Sequence, residues 1–210
     1  MPRSPEESRA LFDRWATTYA DDLRRPGGPL EGYAESLEEA AGLLPIVAGA
    51  RVLDVGVGTG AFGATLAARG ARIWGVDPSE RMLEQCRLAH PEFALSLGSF
   101  APIPHDTGQF DATVSSFAFH EVPPAARPDA CAEIARVTQP GGAVCLLDIM
   151  FASRGAVAEA RRLIGPAWDD DEDYPLVGDL DGQLRVAGFV ATRWRQTAPC
   201  HWAVVGRRRA

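Results

Sequence analysis

A carboxylate and three glycines at alternate positions follow one short apolar run of the chain. Asp54 lies within residues 51–55, and Gly56, Gly58 and Gly60 come directly after that run. Because glycine has no Cβ atom, this spacing predicts a tight turn that lets the backbone approach a ligand closely. A negative side chain beside the turn would repel a pyrophosphate and would favour a ligand with positive charge. The alternative is that Asp54 only caps the turn through its side chain.

The same glycines leave a second ligand class open. Gly58, Gly60 and Gly63 satisfy the dinucleotide pattern G-x-G-x-x-G, which is a weak signal on its own. An NAD(P)-dependent oxidoreductase of the same topology is therefore a rival interpretation. The chain contains no lysine, so a Tyr-x-x-x-Lys hydride-site motif is absent. This absence and the position of Asp54 both count against the oxidoreductase.

Apolar runs alternate with helical patterns along most of the chain. Residues 52–55 read as a buried strand, and a helix is predicted from residue 61. The next strand ends at Asp77, roughly 20 residues beyond the glycine turn, where an acid binds ribose hydroxyls in such folds. Further strands are predicted at 93–97, 112–116, 143–149, 189–195 and 201–205. The alternation predicts an α/β, doubly wound, mostly parallel sheet of seven strands, with an antiparallel pair at its end.

Two helical segments without strand character precede the first strand. The sequence Ser4-Pro-Glu-Glu7 is typical of a helix start, and a second helix is predicted at 32–44. We expect residues 1–45 to form a helical cap over the ligand edge of the sheet and residues 46–210 to form the Rossmann-like core. Three aromatic side chains are predicted on this lid: Trp15, Tyr19 and Tyr33.

The amino-acid composition argues against several classes of partner. The chain has 210 residues and a formal net charge of -7, which argues against a nucleic-acid partner. Its four cysteines form no C-x-x-C pair, so a reduced, cytoplasmic compartment is expected. We expect no signal peptide and no membrane partner, since no apolar run approaches the ~20 residues that span a bilayer. The acidic run 169–173 is predicted to be a solvated loop, and no metal site is predicted.

Four blocks of the sequence, in order, resemble the motifs of the class I S-adenosylmethionine-dependent methyltransferases. The resemblance covers residues 51–149. The N-terminal Phe12-Asp-Arg-Trp-Ala-x-x-Tyr19 is also similar to a signature of small bacterial members of that class. The four blocks are 52–60, 75–79, 109–116 and 139–142.

The resemblance implies that S-adenosyl-L-methionine is the cofactor. This compound carries a sulfonium and an ammonium and no phosphate, in agreement with a carboxylate beside the turn. Asp54, Gly56, Gly58 and Gly60 would line its methionine portion, and Asp77 would accept hydrogen bonds from the ribose hydroxyls.

The resemblance also implies an adenine site. Pro78 and Met82 would lie against the adenine ring. The family often has aspartate after the glycine of its third motif, but this chain has Ser99 there. The Ser99 side chain or the backbone of Phe100 could replace that contact.

Methyl transfer requires little chemical assistance from the protein, because the sulfonium methyl is already activated. The protein mainly aligns the acceptor and excludes water. By the resemblance, Ser116 and Phe117 would face the sulfonium, and Tyr19 would reach the cofactor carboxylate from the cap. His120, with Glu121 beside it, is the candidate general base. The alternative for His120 is a hydrogen-bonded structural histidine.

These observations predict a cytoplasmic methyltransferase that transfers a methyl group from S-adenosyl-L-methionine to a small-molecule acceptor. Two other functions stay open at this point. One is the NAD(P)-dependent oxidoreductase, and the other is a non-catalytic protein that binds S-adenosyl-L-methionine as a sensor or partner subunit.

Overall fold

The structure is a computed structural model that describes residues 3–19 and 28–210. Seven strands form one sheet in the order β3-β2-β1-β4-β5-β7-β6. Strands β1 to β5 pair in parallel, while β7 runs antiparallel to both β5 and β6. The strands are β1 (Arg51–Val55), β2 (Arg72–Asp77), β3 (Ala94–Leu97), β4 (Phe110–Ser116), β5 (Thr138–Ile149), β6 (Phe189–Gln196) and β7 (His201–Arg208). This confirms the predicted mostly parallel, seven-stranded sheet with an antiparallel pair.

Helices cover both faces of the sheet, and serine side chains mark the start of several. Ser4, Ser79 and Ser153 each accept a hydrogen bond from a backbone N–H in the first turn that follows, which satisfies a donor left free at a helix start. The helices are α1 (Pro5–Trp15), α2 (Tyr33–Leu43), α3 (Ala61–Ala67), α4 (Glu80–Ala89), α5 (Arg127–Val137), α6 (Arg154–Ile164) and α7 (Val177–Val186). Within the described residues, none of them is long and apolar enough to cross a bilayer.

The strand order reverses at β1. The chain crosses from β1 to β2 on one side and later to β4 on the other side. The connections after β1 and β4 therefore lead to helices on opposite faces of the sheet, and a crevice forms at the carboxyl ends of these strands, where doubly wound folds bind their ligands.

The two faces of β1 pack against separate core clusters. Val52 belongs to the cluster that also contains Phe62 of α3 and Leu37 of α2. Leu53 and Val55 belong to the cluster on the opposite face. Since side chains alternate along a strand, Asp54 points to the same face as Val52. Helix α2 is thus a layer of the core, and the division at residue 45 between a cap and a core domain stays a prediction.

The fifth strand begins at Thr138 and not at the predicted Ala143. Thr138 pairs with Phe110, the register then shifts, and Ala143 pairs with Ala112. The residues between form an irregularity that accommodates Pro140 within the strand, as bulges commonly do.

Candidate active site

A cavity of about 270 Å³ opens at the carboxyl ends of the central strands. Its walls come from the loops after β1, β2, β3 and β4 and from helix α1. Ten of the twelve residues predicted to bind the cofactor line it: Tyr19, Gly56, Gly58, Asp77, Pro78, Met82, Ser99, Phe100, Ser116 and Phe117. Asp54 and Gly60 are not among the lining residues, and neither is His120.

The three glycines of the turn serve different purposes. All have positive φ, with 76° at Gly56, 53° at Gly58 and 94° at Gly60. A Cβ on Gly56 would lie 2.3 Å from the Cβ of Ala118, so this glycine lets the loops after β1 and β4 touch. A Cβ on Gly58 would meet no atom within 4 Å. Gly60 instead packs against α4, where a Cβ would lie 2.7 Å from Cδ2 of His90.

Asp77 ends β2 and holds the glycine turn. Its Oδ2 accepts a 2.9 Å hydrogen bond from the Gly58 N–H, and its Oδ1 accepts one of 2.9 Å from the Ser79 N–H. Burial raises the pKa of Asp77 to about 6, although these two N–H groups oppose the rise. Each carboxylate oxygen can accept a second hydrogen bond. Asp77 can therefore hold the turn and still accept hydroxyl donors from the cavity.

Asp54 lies beneath the glycine turn and is 1% exposed. Neither of its carboxyl oxygens has a hydrogen bond of normal geometry within the described part of the chain. Burial raises its pKa to about 7; the Gly63 N–H opposes this, and the charge of Asp77 adds to it. The alternative that Asp54 caps the turn is therefore not observed. A buried, unsatisfied carboxyl is costly, and a nearby cation would offset that cost.

Phe117 carries the backbone from β4 into the cavity wall with a φ of 49°. Its N–H donates to the Leu147 carbonyl at 2.9 Å, and its ring centre lies 4.7 Å from that of Tyr33 and 4.7 Å from that of His201. Positive φ at a bulky residue is strained and occurs most often where ligands bind. Burial, and then the nearby Asp54, raises the pKa of the Tyr33 hydroxyl, which stays neutral.

The C-terminal part of helix α1 and Tyr19 close one end of the cavity. Met82 packs with Tyr19, whose ring centre is 4.8 Å from that of Trp15. Asp13 accepts a 2.6 Å hydrogen bond from the Ser79 hydroxyl at the start of α4. This bond ties α1 to the loop that contains Asp77. This bond could not be predicted from the sequence, because the two residues are distant in the chain and do not belong to a shared motif.

The other end of the cavity is mainly apolar with a few polar groups. The Ser8 hydroxyl donates a 2.5 Å hydrogen bond to Oε2 of Glu121. Oε1 of Glu121 is buried without a hydrogen-bond partner among the described residues. Its position beside His120 was the only sign of Glu121 in the sequence. The lining residues at this end are Pro5, Ser8, Arg9, Phe12, Glu121, Val122, Pro123 and Ala126.

His120 is 7% exposed and is fixed by Asp148. Its Nδ1 lies 2.5 Å from Oδ1 of Asp148, and its backbone N–H donates to Oδ2 at 3.0 Å. Burial lowers the pKa of His120, but Asp148, Glu172 and Glu121 together raise it to about 10. A protonated imidazole cannot accept a proton, so these surroundings favour the structural alternative over the general base.

The acidic run was predicted to be a solvated loop, and this is wrong for several of its side chains. Arg3 forms ion pairs with both Asp169 and Glu172. Arg127 pairs with Asp173 at 2.9 Å. The run folds back over the loop after β4 because buried or half-buried arginines offer it counter-charges.

Known proteins similar to this chain agree with the geometry. Residues 52–142 match the family model described as a methyltransferase domain. An uncharacterized methyltransferase of Geobacillus kaustophilus is 32% identical over 203 residues, which cover 90% of this chain and 91% of that protein. The chain belongs to the methyltransferase family. The resemblance seen in the sequence is thereby confirmed.

Solved structures show how widely this fold is shared. The Thermotoga maritima protein described as a SAM-dependent methyltransferase, possible histamine N-methyltransferase, superposes with a TM-score of 0.72 at 20% identity, covering 95% of this chain and 99% of its own. The [4+2]-cyclase SpnF superposes with a TM-score of 0.78 at 15% identity, covering 100% and 98%. At these identities the likeness shows the fold of the methyltransferase and leaves the acceptor open.

Proposed function

We propose that this methyltransferase binds S-adenosyl-L-methionine in the cavity and transfers its methyl group to a small-molecule acceptor. One observation carries the proposal. Asp54 and Asp77 are both buried beside the glycine turn, and burial raises the pKa of both carboxyls. A positively charged ligand without phosphate lowers the electrostatic cost of the two buried carboxyls, whereas a pyrophosphate raises that cost.

The lining residues fit the parts of that cofactor. Asp77 would accept the ribose hydroxyls with the lone pairs that its two backbone contacts leave free. Gly58 leaves room for the methionine portion, since nothing lies within 4 Å of the Cβ position. The exposed Pro78, the buried Met82 and the half-buried Phe100 offer the apolar surfaces that an adenine ring needs.

The protein's own part in the reaction would be alignment and exclusion of water. When bound, the cofactor would supply a methyl group already activated by its sulfonium. Phe12 and Tyr19 of the N-terminal segment cover the cavity, and Tyr33 with Phe117 fixes the wall after β4. Holding the acceptor in line inside a dry cavity can account for a large part of the rate enhancement.

The acceptor end favours a small, largely apolar molecule with one polar group. Phe12, Val122 and Pro123 provide apolar walls, and Ser8 with Glu121 provides the polar contact. A cytoplasmic location also stays a proposal; the four cysteines are all free and buried, as in a reducing compartment.

Two rival functions remain testable. The oxidoreductase would require a pyrophosphate near the buried Asp54, which Coulomb repulsion opposes. The non-catalytic binding protein differs from the enzyme only in having no acceptor. The similarity to a cyclase shows that this fold also occurs in a protein named for another reaction.

The experiment that tests the proposal has two stages. First, S-adenosylhomocysteine is titrated by calorimetry into the wild type, Asp77→Asn and the control Glu84→Gln, which removes an exposed charge on α4. We expect binding to the wild type and the control and at least about tenfold weaker binding to Asp77→Asn, since a hydrogen bond to a charged group contributes about 1.5–3 kcal/mol. Equal binding by all three proteins would reject the assigned role of Asp77.

Second, small-molecule fractions are incubated with S-adenosyl-L-methionine and the wild-type protein, and release of S-adenosylhomocysteine is measured. We expect release only with fractions that contain the acceptor. Tight binding of the cofactor with no release from any fraction would favour the non-catalytic protein. The Asp77→Asn variant serves as the matched negative control in this stage.

A further inference from the structure

Three side chains beside the cavity direct their ligand atoms toward one point. Nε2 of His120 lies 3.7 Å from Oε1 of Glu121 and 3.8 Å from Oε2 of Glu172. Ligand atoms of the three residues all lie within 4.8 Å of one another. These separations are too long for hydrogen bonds, so the imidazole N–H and the carboxylates face each other without direct bonding.

His120 supplies a second, independent observation. Its side chain is 6% exposed, and its Nε2 faces both carboxylates from beyond hydrogen-bond distance. The facing Oε1 of Glu121 is buried without a hydrogen-bond partner among the described residues. Its other nitrogen, Nδ1, is held by Asp148 at 2.5 Å. A carboxylate that fixes one imidazole nitrogen and aims the other at an ion is the usual support for a metal-binding histidine.

The charges around this point are unbalanced. Asp148, Glu121, Glu172 and the neighbouring Asp169 contribute four carboxyl groups. Arg3 contributes one positive charge to this group, and Arg127, which donates to the His120 carbonyl, is paired with Asp173. Half-buried carboxylates in excess of their counter-charges favour a further cation.

We propose that His120, Glu121 and Glu172 form a binding site for one divalent transition-metal cation. An imidazole with two carboxylates suits Zn²⁺ better than Mg²⁺, Ca²⁺ or Mn²⁺, which prefer oxygen ligands. Bonds of about 2.0–2.2 Å in a tetrahedral Zn²⁺ site separate the ligand atoms by about 3.3–3.6 Å. The two separations from the imidazole, 3.7 and 3.8 Å, exceed this range by a few tenths of an ångström, and the ligand atoms of the two glutamates lie within 4.8 Å of each other.

Binding would have two consequences that the structure specifies. His120 must release the proton on Nε2, because only the neutral imidazole is a ligand. Arg3 must move, because its NH1 lies 3.8 Å from Oε1 of Glu121 and 3.3 Å from Oε1 of Glu172. Since Glu121 also lines the cavity, the ion would lie beside the acceptor end of the proposed active site.

The test is a calorimetric titration of chelator-treated protein with Zn²⁺, repeated with Mn²⁺ followed by electron paramagnetic resonance. We expect one ion per chain and at least about tenfold weaker binding by Glu172→Gln. Glu159→Gln, an exposed acid paired with Arg162 on α6, is the control and should bind as the wild type does. Arg3→Ala should bind more tightly than the wild type, because it removes the competing cation.

Circular dichroism checks that each variant is folded, and Glu121→Gln replaces Glu172→Gln if the latter is not. Absence of Zn²⁺ and Mn²⁺ binding would overturn the site. Equal binding by the wild type, Glu172→Gln and Glu121→Gln would also overturn it. Weaker binding by Arg3→Ala would also contradict it. A parallel titration of the metal-free protein with S-adenosylhomocysteine keeps failure of this site distinguishable from failure of the proposed cofactor binding.

Discussion

Replacing Asp54 by asparagine removes the charge of the side chain and keeps its size. The variant therefore measures what the buried charge alone costs in stability. The pKa of Asp54 is about 7 in the folded chain, compared with an ordinary value of 3.8. The folded state therefore binds the proton more tightly than the unfolded state, and this group's contribution to stability falls as pH rises from 4 to 7. Since one pKa unit corresponds to about 1.4 kcal/mol, the ionised carboxyl lowers the free energy of unfolding by about 4 kcal/mol at pH 8.

We expect ligand-free Asp54→Asn to be more stable than the wild type by about 2–4 kcal/mol at pH 8, with little difference at pH 4. Urea denaturation at both pH values measures the two free energies of unfolding. The same variant should bind S-adenosylhomocysteine more weakly, because the neutral amide no longer attracts the ligand's ammonium. Glu84→Gln removes an exposed charge and should show neither effect.

A stability difference that does not change between pH 4 and pH 8 would refute this reasoning. So would an Asp54→Asn variant that is less stable than the wild type at pH 8. Either result would mean that the Asp54 carboxylate has a favourable partner in the folded chain. Its place beneath the turn would then explain stability and not ligand binding.

Substitutions at Gly56 and Ser79 test how the cavity walls are held together. Gly56→Ala should lower the free energy of unfolding by about 2–4 kcal/mol, since it adds a clash with Ala118 to the cost of positive φ. The control Gly58→Ala has positive φ but free space around the new Cβ, so it should lower the free energy of unfolding by only about 1 kcal/mol. Equal losses in the two variants would contradict the contact between Gly56 and Ala118. Ser79→Ala should cost about 1–2 kcal/mol in a thermal or urea denaturation, because it removes the cap of α4 and the bond to Asp13. No loss from Ser79→Ala would mean that α1 is not tied to α4 in solution.

The sequence predicted which residues lie at the ends of the central strands, and their contact with a cofactor stays a prediction. Gly58, Asp77 and Ser116 each follow or end an apolar strand, and a parallel sheet brings those ends to one edge. Asp54 shows the limit of this reasoning. It was expected to face the ligand, but side chains alternate along β1, so it shares the apolar face of Val52 and lies beneath the turn.

Contacts between distant loops could not be predicted. Glu172 belongs to an acidic run whose composition is typical of a solvated loop, yet it lies 3.8 Å from Nε2 of His120. Arg3 reaches the same cluster from the other end of the chain. Such contacts depend on how loops fold back over the sheet, and neither periodicity nor motif spacing carries that information.

A paired titration of the purified protein with S-adenosylhomocysteine and with NADH decides whether the cavity takes an adenosyl ligand without phosphate. Heat of binding at one site per chain with S-adenosylhomocysteine, and none with NADH, is the expected result, because the buried carboxyls of Asp54 and Asp77 repel a pyrophosphate. Saturable NADH binding without any response to S-adenosylhomocysteine would contradict the assignment of the cavity.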